Sequence, residues 1–182
     1  MRNTYIIFCL FMCVLFISCT KDEATKTEIY NQKANELIFQ TLKENKCNCI
    51  LEIPKETMVE ISNAENPKYD IRTMLKNQLK AKTNANLDSL INVSKKFKLD
   101  IEKIKLNKIK IVSLENIKNI KKGNDSITLK MCKNGIISIQ KPIFDENYKK
   151  AVFEYNYTFT CLRLLPTPIY ELKKDKWIRT EK

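Results

Sequence analysis

An α+β fold, with N-terminal amphipathic helices packed on a C-terminal antiparallel β-sheet, is what this sequence predicts, and three observations predict it. Tyr30, Ala34, Leu37, Ile38 and Leu42 recur at helical spacing in the first quarter of the chain. Residues 151–161, AVFEYNYTFTC, alternate strictly instead, with Phe153, Tyr155, Tyr157, Phe159 and Cys161 on one face and Glu154, Asn156, Thr158 and Thr160 on the other. Turn-forming segments at Lys133-Asn134-Gly135 and Lys173-Lys174-Asp175-Lys176 separate runs of strand-forming residues. Helices first and strands last is the order of an α+β chain.

The N-terminus carries an address. Tyr5 to Ile17 is an unbroken apolar run of thirteen residues after Arg2. A membrane span needs roughly 20 such residues, whereas the apolar region of a secretory signal needs about 7–15. Phe16-Ile17-Ser18-Cys19 looks like a bacterial lipobox, in which the cysteine sulfur receives lipid. Thr20-Lys21-Asp22-Glu23 follows directly, and its Lys21, Asp22 and Glu23 resemble the export signal behind the lipidated cysteine of surface lipoproteins in the Bacteroidota. The expected division is therefore residues 1–18 as signal peptide, 19–28 as lipidated Cys19 and polar tether, and 29–182 as one α+β domain. One acyl chain binds membranes marginally, and the two or three that a lipobox implies would hold the protein stably.

The elements follow in order. Ile29 to about Glu44 is the first amphipathic helix. Cys47-Asn48-Cys49 ends it and leads into a short strand at Ile50 to Pro54. Asn66-Pro67 marks a helix start, with Ile71, Met74, Leu75 and Leu79 as its stripe. A polar break at 83–86 precedes a helix bearing Leu87, Leu90 and Ile91. Leu106, Ile109 and Ile111 partly alternate, which favours a strand near 108–113 and then a short helix at 114–121. Ser126 to Cys132 and Ile136 to Gln140 read as a hairpin about Gly135, and Ala151 to Cys161 as a long strand. Ile169 to Glu181 reads as a second hairpin. One-sided alternation implies a sheet with one face on the core and one in water.

Composition excludes more than it assigns. Histidine is absent, which removes the commonest general base, the commonest metal ligand and every Ser-His or Cys-His nucleophile. The only glycines are Gly123 and Gly135, so no glycine-rich phosphate loop exists. The formal charge is +12, but it comes from 29 lysines and only four arginines. Arginine's planar fork is the group preferred for phosphate and base recognition. Lysine, isoleucine and asparagine together have AT-rich codons, so the excess reads as genome composition, and nucleic acid is not the expected partner.

Four cysteines besides Cys19 lie beyond the signal: Cys47, Cys49, Cys132 and Cys161. Export would place them in a disulfide-permissive compartment, where four cysteines allow three pairings. A zinc site would need all four brought together, so neither metal nor cofactor is expected. Lys95 to Lys122 carries ten lysines against Asp100, Glu102 and Glu115. Within it Lys103, Lys105, Lys108 and Lys110 form the candidate surface for an anionic glycan or acidic protein, with a solvated lysine coat as the simpler reading. The aromatic stripe from Phe153 reads as the buried face of a strand rather than a ligand platform. Asp145-Glu146 reads as turn rather than as an acid–base pair.

Lys141-Pro142-Ile143-Phe144-Asp145, then Lys150-Ala151-Val152-Phe153-Glu154-Tyr155 and Leu172…Trp177, resemble the C-terminal half of uncharacterised lipoproteins of flavobacteria and relatives. The resemblance covers about 40 residues and the N-terminal signal. It implies the same address and sheet, and no activity. The expected function is a lipid-anchored, non-catalytic binding domain at the outer membrane, facing the cell surface. A periplasm-facing protein that neutralises or chaperones another, in the manner of an immunity protein, is the alternative. An enzyme restricted to Lys, Asp, Glu, Tyr or Cys ranks third.

Overall fold

The computed structural model of the chain describes residues 24–46, 48–121, 130–157 and 169–180. Residues 24–44 form helix α1. Its predicted stripe is buried, with Tyr30, Ala34, Leu37, Ile38 and Leu42 each at most 1% exposed. Burial of a Leu or Ile side chain contributes about 1.5–3 kcal/mol, so this stripe fastens the helix to its sheets. The helix begins five residues before Ile29, inside the segment expected as tether. Residues 24–28 add a largely solvent-facing turn below the stripe, and the Tyr148 hydroxyl donates to Lys26 O at 3.2 Å and ties it down.

Strand β1 (Cys49–Leu51) follows, then helices α2 (Met58–Glu65), α3 (Ile71–Leu79), α4 (Asn84–Lys95) and α5 (Ile101–Leu106). Strand β2 (Lys110–Val112) and helix α6 (Leu114–Lys121) close the first half. Helix α2 was not anticipated, although its signal is present: Thr57-x-x-Glu60 is a capping box with both reciprocal hydrogen bonds made. Asp70 rather than Asn66 caps α3, and Thr83, within the expected polar break, caps α4.

The last third holds β3 (Ile137–Ile139), β4 (Ile143–Phe144), β5 (Lys150–Val152), β6 (Tyr155–Tyr157), β7 (Ile169–Lys173) and β8 (Lys176–Thr180). These strands build two four-stranded sheets, in the orders β2-β1-β3-β6 and β4-β5-β7-β8. The second sheet is antiparallel throughout, as the fold class predicts. The first is mixed, because β1 pairs in parallel with both β2 and β3, and helices carry the crossovers.

Three expectations about the strands are corrected. The expected hairpin of 126–132 with 136–140 is not found among the described residues: 130–131 are helical, β3 pairs with β1 and β6, and residues 126–129 lie outside the described residues. Gly135 does take positive φ (85°), as the turn at that point requires. The long strand from Ala151 is two strands, for β5 belongs to one sheet and β6 to the other. Its continuation beyond residue 157 lies outside the described residues. Finally, both sheets are covered on two faces at their centres. Phe144 and Ala151 meet α1, while Ile143 and Val152, on the opposite face, meet α2, α3 and α4. The outer hairpin, β7–β8, keeps the expected one-sided pattern, with Tyr170 and Trp177 buried and Ile178 exposed.

One bent hairpin joins the sheets. Strands β3 and β4 run continuously against β5 and β6, with the bend between the Ile139–Tyr155 and Ile143–Val152 pairs. Three residues, Gln140, Lys141 and Pro142, span that bend on one strand, against two, Phe153 and Glu154, on the other. The extra residue makes the bend a bulge, a position that also tolerates a proline without a backbone donor. Gln140 N donates to Glu154 O at 3.0 Å, and Tyr30 Oη donates to Pro142 O at 2.9 Å, so α1 is anchored at the bend. Burial pushes the Tyr30 hydroxyl's pKa far up, which keeps it a neutral donor.

Candidate functional site

The four lysines singled out from sequence have different surroundings. Lys105 pairs with Glu102 at 3.1 Å in solvent, Lys108 sits at positive φ (55°) after α5, and Lys110 is exposed on the edge strand β2. Lys103 alone of the four turns into a cavity, a cleft of about 500 Å³ between α1, α5 and the β7–β8 turn.

Helix α1 lines this cleft with Glu36, Phe39, Gln40 and Lys43, the i, i+3, i+4, i+7 set of one helical face, and Lys46 stands just past its end. Asn31 and Asn35 on α1 hold α5 alongside. Asn31 Oδ1 accepts from Lys98 N at 2.6 Å, and Asn35 Oδ1 accepts from Asp100 N at 2.8 Å. Asp100 in turn caps α5 by accepting from Lys103 N at 2.9 Å. That chain of contacts brings the Lys103 ammonium to 4.7 Å from the centroid of the Phe39 ring, a cation–π contact worth about 0.5–1 kcal/mol at an exposed site. Trp177 forms part of the wall and is itself buried, and its indole Nε1 has no acceptor among the described residues.

Three ammonium groups, on Lys43, Lys46 and Lys103, therefore line an aromatic-walled cleft with the carboxylates of Glu36 and Asp175. Glu36 is already engaged, receiving hydrogen bonds from Lys33 at 2.8 Å and Gln32 at 3.0 Å. The remaining balance is positive. Lysines are mobile point charges, so this arrangement suits a flexible ligand with several negative groups, held in a salt-sensitive way. Sequence reading found Lys103 and missed Lys43 and Lys46. Their helix is separated from α5 by the whole of α2 to α4, and only the fold brings them together.

The other candidate residues are placed as follows. Cys49 and Cys132 form a disulfide, with an S–S distance of 2.02 Å across 83 residues, in a small core with Leu51, Val112, Ile117 and Ile136. This pair takes both sulfurs out of the thiolate form that zinc would need. Cys47 and Cys161, like Cys19, Lys21, Asp22 and Glu23, lie outside the described residues. Phe153 is buried against Tyr170, with ring centroids 5.8 Å apart. Asp145 serves the β4–β5 turn, where its Oδ1 accepts from Lys149 N and Lys150 N, both at 2.8 Å. Among the described residues no helix is long and apolar enough to cross a membrane.

Comparison of the chain with protein-family models, with curated proteins and with solved structures gave no match.

Proposed function

We propose that this protein is a lipoprotein of the outer membrane, held through lipid on Cys19 and displayed at the cell surface. In this reading its domain is a non-catalytic binding module for an anionic glycan or an acidic protein. The observation that carries the binding half is the convergence of Lys43, Lys46 and Lys103 on the aromatic-walled cleft. The disulfide between Cys49 and Cys132 supports export, since such bonds persist in oxidising compartments.

Geometry supports a coherent arrangement of the two halves. Residues 20–23 separate Cys19 from the helical segment that begins at residue 24, a reach of at most about 18 Å. Lipid on Cys19 would therefore keep the N-terminal end of α1 near the bilayer. The cleft is built on the other end of α1, about 20–30 Å further along at 1.5 Å per residue. A bulky partner could reach the cleft without entering the headgroups.

The test has two parts. Intact cells are treated with protease, comparing wild type with a K21A/D22A/E23A variant; cleavage of the first alone supports surface display. Protection of both would move the search to periplasmic partners. Binding of the purified domain to a sulfated or uronate polysaccharide is then measured at low and high salt. The triple variant K43A/K46A/K103A should bind at least about tenfold more weakly, a change of roughly 1.4 kcal/mol. Unchanged binding by that variant would remove the cleft from the proposal.

A further inference from the structure

A second groove, of about 480 Å³, runs between β1, the α4–α5 connection and β2. Its walls are apolar where Leu51, Ile53, Phe97, Leu99 and Ile111 line it. Its charged groups are Lys55, Lys95 and Lys141, against the single carboxylate of Glu52. The volume lies within the range of about 300–1,000 Å³ usual for small-molecule sites, and an apolar wall with a few converging polar groups is their usual composition.

Lys141 distinguishes this groove from an ordinary surface furrow. It is the middle residue of the bulge that joins the two sheets, and it is only 6% exposed. Bulges commonly re-aim a side chain beside a functional site, and a lysine is almost never buried this far without a purpose or a pair. Its ammonium has three donors, of which one meets Lys55 O. Glu60 and Glu56 lie near enough to favour the charge and Lys95 opposes it, but neither carboxylate is within hydrogen-bond reach of Lys141 and that of Glu60 already accepts from Thr57 and Lys95. Burial depresses the Lys141 pKa, against the nearby carboxylates of Glu60 and Glu56.

We propose that the groove binds a medium-chain fatty carboxylate, with the carboxylate received by Lys141 and the hydrocarbon lying along Ile53, Phe97, Leu99 and Ile111. The carboxylate supplies acceptor oxygens for the ammonium donors that Lys55 O leaves open. The chain covers a wall that otherwise faces water. The site is separate from the α1–α5 cleft and does not depend on the function assigned to that cleft.

Titration calorimetry of the purified domain with decanoate, decanol and decylammonium, each below its micelle concentration, tests this. Wild type should take up one decanoate saturably, bind decanol at least about tenfold more weakly, and reject decylammonium. Lys141→Met should lower decanoate affinity to that of decanol. Ile111→Asp, at a half-exposed wall position, should weaken both. The K43A/K46A/K103A variant should bind decanoate like wild type. Equal binding of decanoate and decanol by wild type overturns the proposal, as does absence of saturable decanoate binding. Because that comparison uses the native chain, it decides the matter even if Lys141→Met does not fold.

Discussion

Gln40 pairs with Trp177 in the way a neighbouring strand would. Its side-chain Nε2 donates to Trp177 O at 2.5 Å, and its Oε1 accepts from Trp177 N at 2.9 Å. Strand β8 is an edge of its sheet, and edges with unpaired backbone groups invite wrong pairing. A single side chain on α1 thus satisfies the outward N–H and carbonyl of Trp177 in the edge strand and lines one side of the basic cleft.

Gln40→Ala should destabilise the domain by about 1–3 kcal/mol, because it leaves a partly buried N–H and carbonyl without partners. Urea unfolding followed by the fluorescence of Trp177, the chain's only tryptophan, measures this directly. A midpoint within error of wild type would mean that water replaces the amide at no cost.

Replacing Cys49 and Cys132 together by alanine should lower stability by about 2–4 kcal/mol, since the bond closes a loop of 83 residues in the unfolded chain. Calorimetric or urea unfolding gives the loss, and alkylation under denaturing conditions followed by mass spectrometry shows which cysteines were protected. Labelling of Cys49 and Cys132 in the unreduced protein would refute the pairing.

Glu60 makes stability depend on acid. Hydrogen bonding from Thr57 N, then from Lys95 and the Thr57 hydroxyl, holds its pKa at about 2, below the ordinary 4.5. The folded value is the lower one, so the unfolded chain takes up the proton first as pH falls. The stability Glu60 contributes is complete above 4.5 and is lost as pH drops towards about 2. In the E60Q variant, stability plotted across that interval should be flatter than in wild type. Identical slopes would show that the carboxylate is not held in solution.

Much of the fold was legible because it depends on local pattern. The α1 stripe, the α3 and α4 stripes and the β7–β8 hairpin each rest on periodicity within one short segment. The hairpin turn holds Lys174 and Asp175 at φ of 48° and 61°, the paired positive values of the tight turn that matches strand twist. Helix α2 has its own local signal, the capping box of Thr57 and Glu60, but only a thin apolar pattern behind it.

The misread elements share a physical cause. Alternation in AVFEYNYTFTC records that successive side chains point to opposite sides, but says nothing about which sheet supplies the neighbours. At Phe153-Glu154 the chain leaves the sheet where β4 and β7 flank it and joins the sheet where it pairs with β3. Likewise, sequence placed Ser126–Cys132 beside Ile136–Gln140 because a turn stood between them. The true partner of β3 on that side is β1, far earlier in the chain and stapled nearby by the disulfide.

The residues alone determined the class of fold, the helix that anchors it, the absence of histidine chemistry and the expectation of an N-terminal lipid address. Each follows from composition or from spacing within a single segment. Tertiary structure decided which cysteines pair and which lysines converge on the cleft. It also decided that Lys141, one lysine among many in the sequence, is buried at a bulge beside an apolar groove. Those outcomes depend on contacts between residues tens of positions apart, where burial and hydrogen bonding act through space and leave no periodic trace along the chain.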